Sequence, residues 1–247
     1  MLDYERNWVR LPLQNASNVR ELGGYPVKDG RQTVYRRFLR ADDISSLTEE
    51  EVDFLLGYGV HMVVDLRSDA EAKKFPDRLM GIEGVEYVRI PFLGRDIVDA
   101  TQVRTEDLKM GLGTLYAGML ENKEVSKEIF ESIESAPEGC VLFHCSAGKD
   151  RTGVLAMLLM SLAGADRQDC MTNYAQSYTN LCRKPEFANI NLNEEYAKYG
   201  RLMYSEPETI GECYDLMMER YGSTENYLKS CGLKEEQIER IKERLLV

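Results

Sequence analysis

The chain has 247 residues, 43% of them apolar, with 31 basic and 42 acidic side chains and a formal net charge of −11. That length and apolar share suffice for one large core, so a single α/β domain over 1–247 is expected. The negative balance opposes nucleic acid and general attraction to anionic membranes, and no apolar run reaches the length of a transmembrane segment.

From Asn15 to Tyr25 the chain is polar, then glycine-rich, and it leads into two short β-prone runs around Asp29-Gly30, a hairpin signal. Arg20, Arg36, Arg37 and Arg40 read as solvated charges, with the lining of an anion pocket by one of them as the alternative. Thr48-Glu49-Glu50-Glu51 is a capping box ahead of Val52, Phe54, Leu55 and Leu56 and predicts a helix ending near Gly57 or Gly59. His61 to Leu66 is a short apolar strand on which His61 reads as packed rather than as a metal ligand. At its end, Asp65 suits partnership with Arg67 or with a backbone turn. Ser68-x-x-Glu71 opens a second capped helix, and Val85 to Ile90 alternates as a half-buried strand until Pro91. Gly94 to Gly113, with Asp96, Asp99, Glu106 and Asp107, reads as a mobile surface segment. Leu115, Met119, Leu120, Val125, Ile129 and Ile133 recur near helical spacing, giving one or two helices over 114–135.

The most informative stretch is His144-Cys145-Ser146-Ala147-Gly148-Lys149-Asp150-Arg151-Thr152-Gly153, set between the apolar runs Val141 to Phe143 and Val154 to Leu162. This order reads as buried strand, loop and helix. Backbone N–H groups of Ser146 to Arg151 can converge on one point there, and the first helical turn adds its positive dipole end. The loop therefore suits an anion such as phosphate or vanadate. A thiol beside those donors and a guanidinium is expected to ionise below the ~8.5 of free cysteine, which makes Cys145 a thiolate nucleophile. Arg151 supplies the planar fork that matches a phosphoryl group. A nucleotide-binding P-loop is excluded, because Gly148-Lys149 is followed by Asp150 and the earlier glycine is missing. The bland alternative, a structural cysteine in an ordinary turn, leaves the shared spacing of Cys145, the two glycines, Arg151 and Thr152 unexplained.

The helix from Thr152 to Ala163 should end at Gly164, and Asp166-x-x-Asp169 opens the next. Residues 183–209 are the least regular and read as an insertion or lid, or equally as a plain surface excursion. The tail returns to helix over Glu212 to Tyr221, from Ser223 through Leu228, and from Lys234 to Leu246. The six cysteines, Cys140, Cys145, Cys170, Cys182, Cys213 and Cys231, include no C-x-x-C pair, so neither a zinc site nor a thioredoxin-like motif is expected. Residues 1–6 lack the basic-then-apolar start of a signal peptide; a cytoplasmic protein is expected, with export by another route left open.

Cys145-x5-Arg151, flanked by His144 and Thr152, resembles the signature of the cysteine-dependent protein tyrosine phosphatases. Its Gly-Lys-Asp-Arg-Thr-Gly form is similar to the bacterial branch related to the secreted phosphatases of mycobacteria and Listeria. Asn18 to Tyr25, Val34 to Arg37, Asn173 to Ser177 and the helical C-terminus resemble further motifs of that branch. The resemblance implies a central sheet flanked by helices and a phosphocysteine intermediate on Cys145. It also implies bidentate phosphate holding by Arg151 and a Thr152 hydroxyl that supports the thiolate. Ser146, Ala147, Gly148 and Lys149 would complete the phosphate cradle. Phosphotyrosine proteins and phosphoinositides become the expected substrates, Lys149 a contact to lipid ring phosphates, and no cofactor is expected. Asp-Leu-Arg at 65–67 sits beside the active site in this family, and no Trp-Pro-Asp is present to supply the acid. The candidate proton donors are therefore Asp150 first, Asp65 second and Asp96 third. A catalytically silent phosphate-binding or adaptor module and a sulfur- or arsenate-handling enzyme are the alternatives.

Overall fold

The computed structural model describes residues 3–92, 112–184 and 204–247. Most of the expected surface segment at 94–113, including Asp96, and most of the expected insertion at 183–209 lie outside these residues. Strands β1 (Arg20–Glu21), β2 (Phe38–Ala41), β3 (Val60–Asp65), β4 (Glu86–Arg89) and β5 (Cys140–His144) form one sheet in the order β1-β2-β5-β3-β4. β1 runs antiparallel to β2, and the other neighbours are parallel. Parallel strands covered on both faces read as continuous apolar runs, which is the pattern of Val141-Leu142-Phe143.

The helices are α1 (Glu49–Tyr58), α2 (Asp69–Lys74), α3 (Leu112–Met119), α4 (Lys123–Ser135), α5 (Asp150–Ala163), α6 (Arg167–Leu181), α7 (Pro207–Tyr221), α8 (Thr224–Ser230) and α9 (Glu235–Leu246). Their starts follow local chemistry. Thr48 with Glu51, and Ser68 with Glu71, form the capping boxes of α1 and α2, and Gly164 closes α5 in the left-handed region. α7 starts ahead of the expected Glu212 because Pro207 occupies its first turn, where a missing N–H costs nothing. The Asp29-Gly30 turn forms with Gly30 at φ 86°, its arms joined by Val27 N donating to Arg31 O at 3.0 Å and Thr33 N to Tyr25 O at 2.9 Å.

Side chains sort to the two faces of the sheet. Met62, Val64, Val141 and Phe143 join the core built with Tyr116, Ile129, Leu158 and Ile238, whereas Val60, Val63, Cys140 and Leu142 pack with Leu11, Val52 and Leu55. The shared face of Val60 and Val63 breaks strict alternation because the β3–β5 register shifts between Val60 and Met62. The same irregularity turns out His61, which was expected to be packed. It is exposed, with Nδ1 3.3 Å from Gly84 O. α5 is apolar almost all round and lies in the centre, so the loop before it rests on a fixed helix.

Glu21 on β1 is buried and accepts hydrogen bonds from Tyr58 Oη at 2.6 Å and Arg36 N at 2.8 Å. Burial outweighs these contacts and raises its pKa from 4.5 to about 7. The folded chain then keeps a proton that the unfolded chain has released. This stability is full below about pH 4.5 and is lost as pH rises through about 7. Glu21→Gln should flatten this decline, worth on the order of 3 kcal/mol. Urea midpoints at mildly acidic and mildly alkaline pH measure it, and an unchanged slope in the variant would clear Glu21 as the source.

Candidate active site

β5 delivers the chain to the carboxyl edge of the sheet, where His144 ends the strand and Cys145 begins the loop. Its carbonyls are held from outside. Ser146 O accepts from Asp43 N at 3.0 Å, and Ala147 O and Gly148 O accept from Asn18 Nδ2, each at 3.1 Å. Arg40 Nη2 donates to Gly148 O at 2.7 Å and to Lys149 O at 3.4 Å. In a trans peptide the N–H opposes the C=O, so carbonyls turned outward at 146–149 aim the N–H groups of 147–150 inward. Inward-facing amides of this kind can receive an anion. Gly148 sits at φ 64°, and a Cβ there would lie 2.4 Å from Ala41 O, so the loop can approach β2 closely only with glycine.

Arg20 and Arg40 correct the expectation of solvated charges, since both are fully buried. Arg40 Nη1 donates to Asn173 Oδ1 at 2.5 Å, and Arg20 Nη2 donates to Asn173 O at 2.8 Å and to Ser177 Oγ at 2.9 Å. Burial lowers the Arg40 pKa to about 10, with the nearby Cys145 opposing that shift, so it stays a cation at neutral pH. The two guanidiniums are scaffolding that ties the N-terminal segment and α6 to the back of the loop. Arg36 and Arg37 lie at the surface side, Arg36 over the Tyr58 ring and Arg37 donating to Val247 O at 3.2 Å.

Cys145 is buried at the floor of the loop, and Arg151 stands in the first turn of α5 behind it. Arg151 is aimed by Glu71: Nη1 donates to Oε2 at 2.7 Å and Nη2 to Oε1 at 2.8 Å, while Ser146 Oγ donates to Oε1 at 2.6 Å. Burial resists ionisation of Glu71, but Arg151 and Ser146 outweigh it and hold its pKa at about 2. The fork therefore persists through neutral and mildly acidic pH. Burial disfavours the Arg151 cation, and Cys145 and Glu71 together raise its pKa regardless. Thr152 Oγ1 is buried without a hydrogen-bond partner among the described residues. That hydroxyl stands one residue beyond Arg151. Glu71→Gln should lower kcat/KM for an aryl phosphate about 10²-fold, as expected when an aimed group drifts by an ångström. Wild-type kinetics in this variant would show that Arg151 is aimed by other contacts.

Behind the loop, His144 Nε2 lies 2.9 Å from Asp77 Oδ2 and 3.6 Å from Asp65 Oδ1. Burial lowers the imidazole pKa, but the two carboxylates outweigh it and the net shift is upward. Asp65 is fully buried and bonded to Arg67 through Nε at 2.9 Å and Nη2 at 2.8 Å, and it accepts from Tyr87 Oη at 2.8 Å. Although burial pushes its pKa up, His144 and Arg67 hold it down at about 2. This is the partnership with Arg67 that the sequence allowed. The same Arg67 contacts leave the grouping of Asp65, Asp77 and His144 little capacity for a metal cation.

Asp150 opens α5 with its side chain about 32% exposed. Its Oδ1 accepts a hydrogen bond from Tyr116 Oη and lies 3.3 Å from Lys149 Nζ, and Tyr116 Oη is 2.9 Å from Tyr174 Oη. Lys149 is buried and donates to Tyr204 O at 3.3 Å. Sequence reasoning missed Glu71, Tyr116 and Asn18 as parts of the site, and of the arginines it weighed only the lining of an anion pocket, not support from behind the loop. Glu71 was recognisable only as a helix cap, which it also is, accepting from Ser68 N at 2.8 Å.

Residues 11–247 match a family model described as the tyrosine phosphatase family. A tyrosine-protein phosphatase of Nostoc commune is 32% identical over 220 residues, which span 84% of this chain and 74% of that protein. Triple specificity protein phosphatase PtpB of Mycobacterium tuberculosis is 24% identical over 281 residues, 92% of this chain and 99% of that protein. A crystal structure of P. aeruginosa TpbA has 17% identity and a TM-score of 0.35, covering 73% of this chain and 89% of that one. The family match runs through the segment that clamps the loop from behind, the loop itself and α6. The chain thus belongs to the tyrosine phosphatase family and is a protein tyrosine phosphatase.

Proposed function

We propose that this phosphatase works through a phosphocysteine intermediate. The Cys145 thiolate attacks phosphorus while the amides of 147–150 and Arg151 hold the phosphoryl oxygens. Asp150 protonates the departing phenolic oxygen; water then cleaves the S–P bond, with the same carboxylate taking its proton. The observation that carries this reading is the Glu71-held guanidinium of Arg151 beside a buried thiol, under a loop whose amides face inward. Asp150 is assigned as the acid because its carboxyl is partly exposed, whereas Asp65 is enclosed by Arg67 and Tyr87. Phosphotyrosine is the main substrate and phosphoinositides a second class. The cation of Lys149 in the loop and the name of the M. tuberculosis relative, a triple specificity phosphatase, support that breadth.

Turnover of phosphotyrosine, phosphoserine and phosphoinositides by wild type and Lys149→Ala tests the assignment. Phosphoinositide turnover should fall several-fold more than phosphotyrosine turnover in the variant. Equal losses on both would remove Lys149 as a contact to the lipid headgroup.

A further inference from the structure

We propose that the cleft between Arg10 and Arg183 is a second anion site, built for a phosphoryl group and separate from the catalytic loop. It does not depend on the catalytic roles assigned above. The cleft encloses about 250 Å³ and is lined by Arg10, Pro12, Leu13, Gln14, Ser17 and Arg183. That is several times the ~30 Å³ share of one water, enough for a phosphoryl group with part of its hydration shell. Both arginines stand on ordered backbone. Arg10 sits in an antiparallel bridge with Arg20, next to Leu11 N donating to Val19 O at 2.9 Å, and Arg183 N donates to Asn180 O at 3.2 Å in the turn that follows α6.

The charge balance of this cleft is unusual for a chain of net charge −11. Among the described residues, no lining residue is acidic and neither arginine makes an ion pair. The carboxylates that border the segment bond its backbone, cleft-lining Gln14 and Ser17 included, and pair with neither arginine. Asp42 takes Lys184 Nζ at 2.9 Å with the N–H groups of Ser17 and Asn18, and Glu51 takes the N–H groups of Gln14 and Asn15. Partial burial and then the field of Arg183 lower the Arg10 pKa, as expected of like charges held together without a counterion. An anion between them removes that repulsion and meets two planar forks of the kind that match phosphate. Ser17 in the cleft wall precedes Asn18, whose side chain holds two carbonyls of the catalytic loop, so occupancy is one residue away from the nest.

Equilibrium dialysis with labelled inorganic phosphate tests this on the full chain by counting the phosphates bound at saturation. Wild type should bind two phosphates per chain, and Arg10→Gln/Arg183→Gln should bind one, at the catalytic loop, while its aryl phosphate turnover stays within about twofold. Arg183→Glu alone, at an exposed position, should give the same loss of one phosphate and guards against misfolding of the double variant. Two phosphates on wild type and on both variants, or one on wild type, would overturn the proposal. Failure of phosphate to inhibit wild-type turnover competitively would instead count against the catalytic reading. Sedimentation of the protein with phosphatidylcholine vesicles, with and without phosphatidylinositol phosphate, separates the two sources of phosphate. Arginine-dependent capture by the phosphoinositide vesicles assigns a lipid headgroup, and phosphate retention without capture assigns a free phosphate.

Discussion

Cys145→Ser is expected to lower phosphotyrosine turnover by on the order of 10⁴–10⁶, the scale of losing a nucleophile, while inorganic phosphate still binds. The two effects separate because the groups that hold the anion are not those that attack it. The nest consists of backbone N–H groups fixed by Asn18, Arg40 and Asp43 on its outer side, and Glu71 aims Arg151. A serine at the end of β5 disturbs none of these contacts. Its hydroxyl, however, remains almost wholly protonated at neutral pH and is a far weaker nucleophile. Calorimetric phosphate titration alongside steady-state turnover makes the comparison. A folded variant that keeps more than about 1% of wild-type turnover would remove Cys145 as the nucleophile.

The second large effect is expected for Asp150→Asn, which should slow phosphotyrosine hydrolysis by ~10²–10⁴ and activated aryl phosphates far less. A phenolate of high pKa must be protonated as it leaves, whereas a nitrophenolate departs unaided. Asparagine keeps an oxygen for Tyr116 Oη and preserves the start of α5, so the change removes chiefly a proton. Among the described residues the side-chain contacts of Asp150 fall on Oδ1. Plotting log kcat/KM against leaving-group pKa should give a steeper slope for the variant. Parallel lines, with weakened phosphate affinity, would make Asp150 a strut of the loop. The search for the acid would then move to the segment 94–113 rather than to Asp65, whose carboxylate is bound to Arg67.

What the sequence determined by itself was local. The capping pairs Thr48 with Glu51 and Ser68 with Glu71, the stop at Gly164, and the strand-loop-helix around Cys145 each depend on residues within a few positions, and each forms where those residues stand. Cys145 and Arg151, the proposed nucleophile and phosphate-holding arginine, stand six residues apart in one stretch, so their type and spacing were visible without a fold. The supports were decided only by tertiary structure. Glu71 meets Arg151 across 80 residues, Arg40 meets Gly148 across 108, and Asn18 meets Gly148 across 130. A charged residue on a short strand, read alone, belongs in water, because burying it unpaired costs several kcal/mol. Arg20 and Arg40 can lie at zero or near-zero exposure only because Asn18, Asn173, Ser177 and the loop carbonyls converge on them, and no local pattern encodes that convergence.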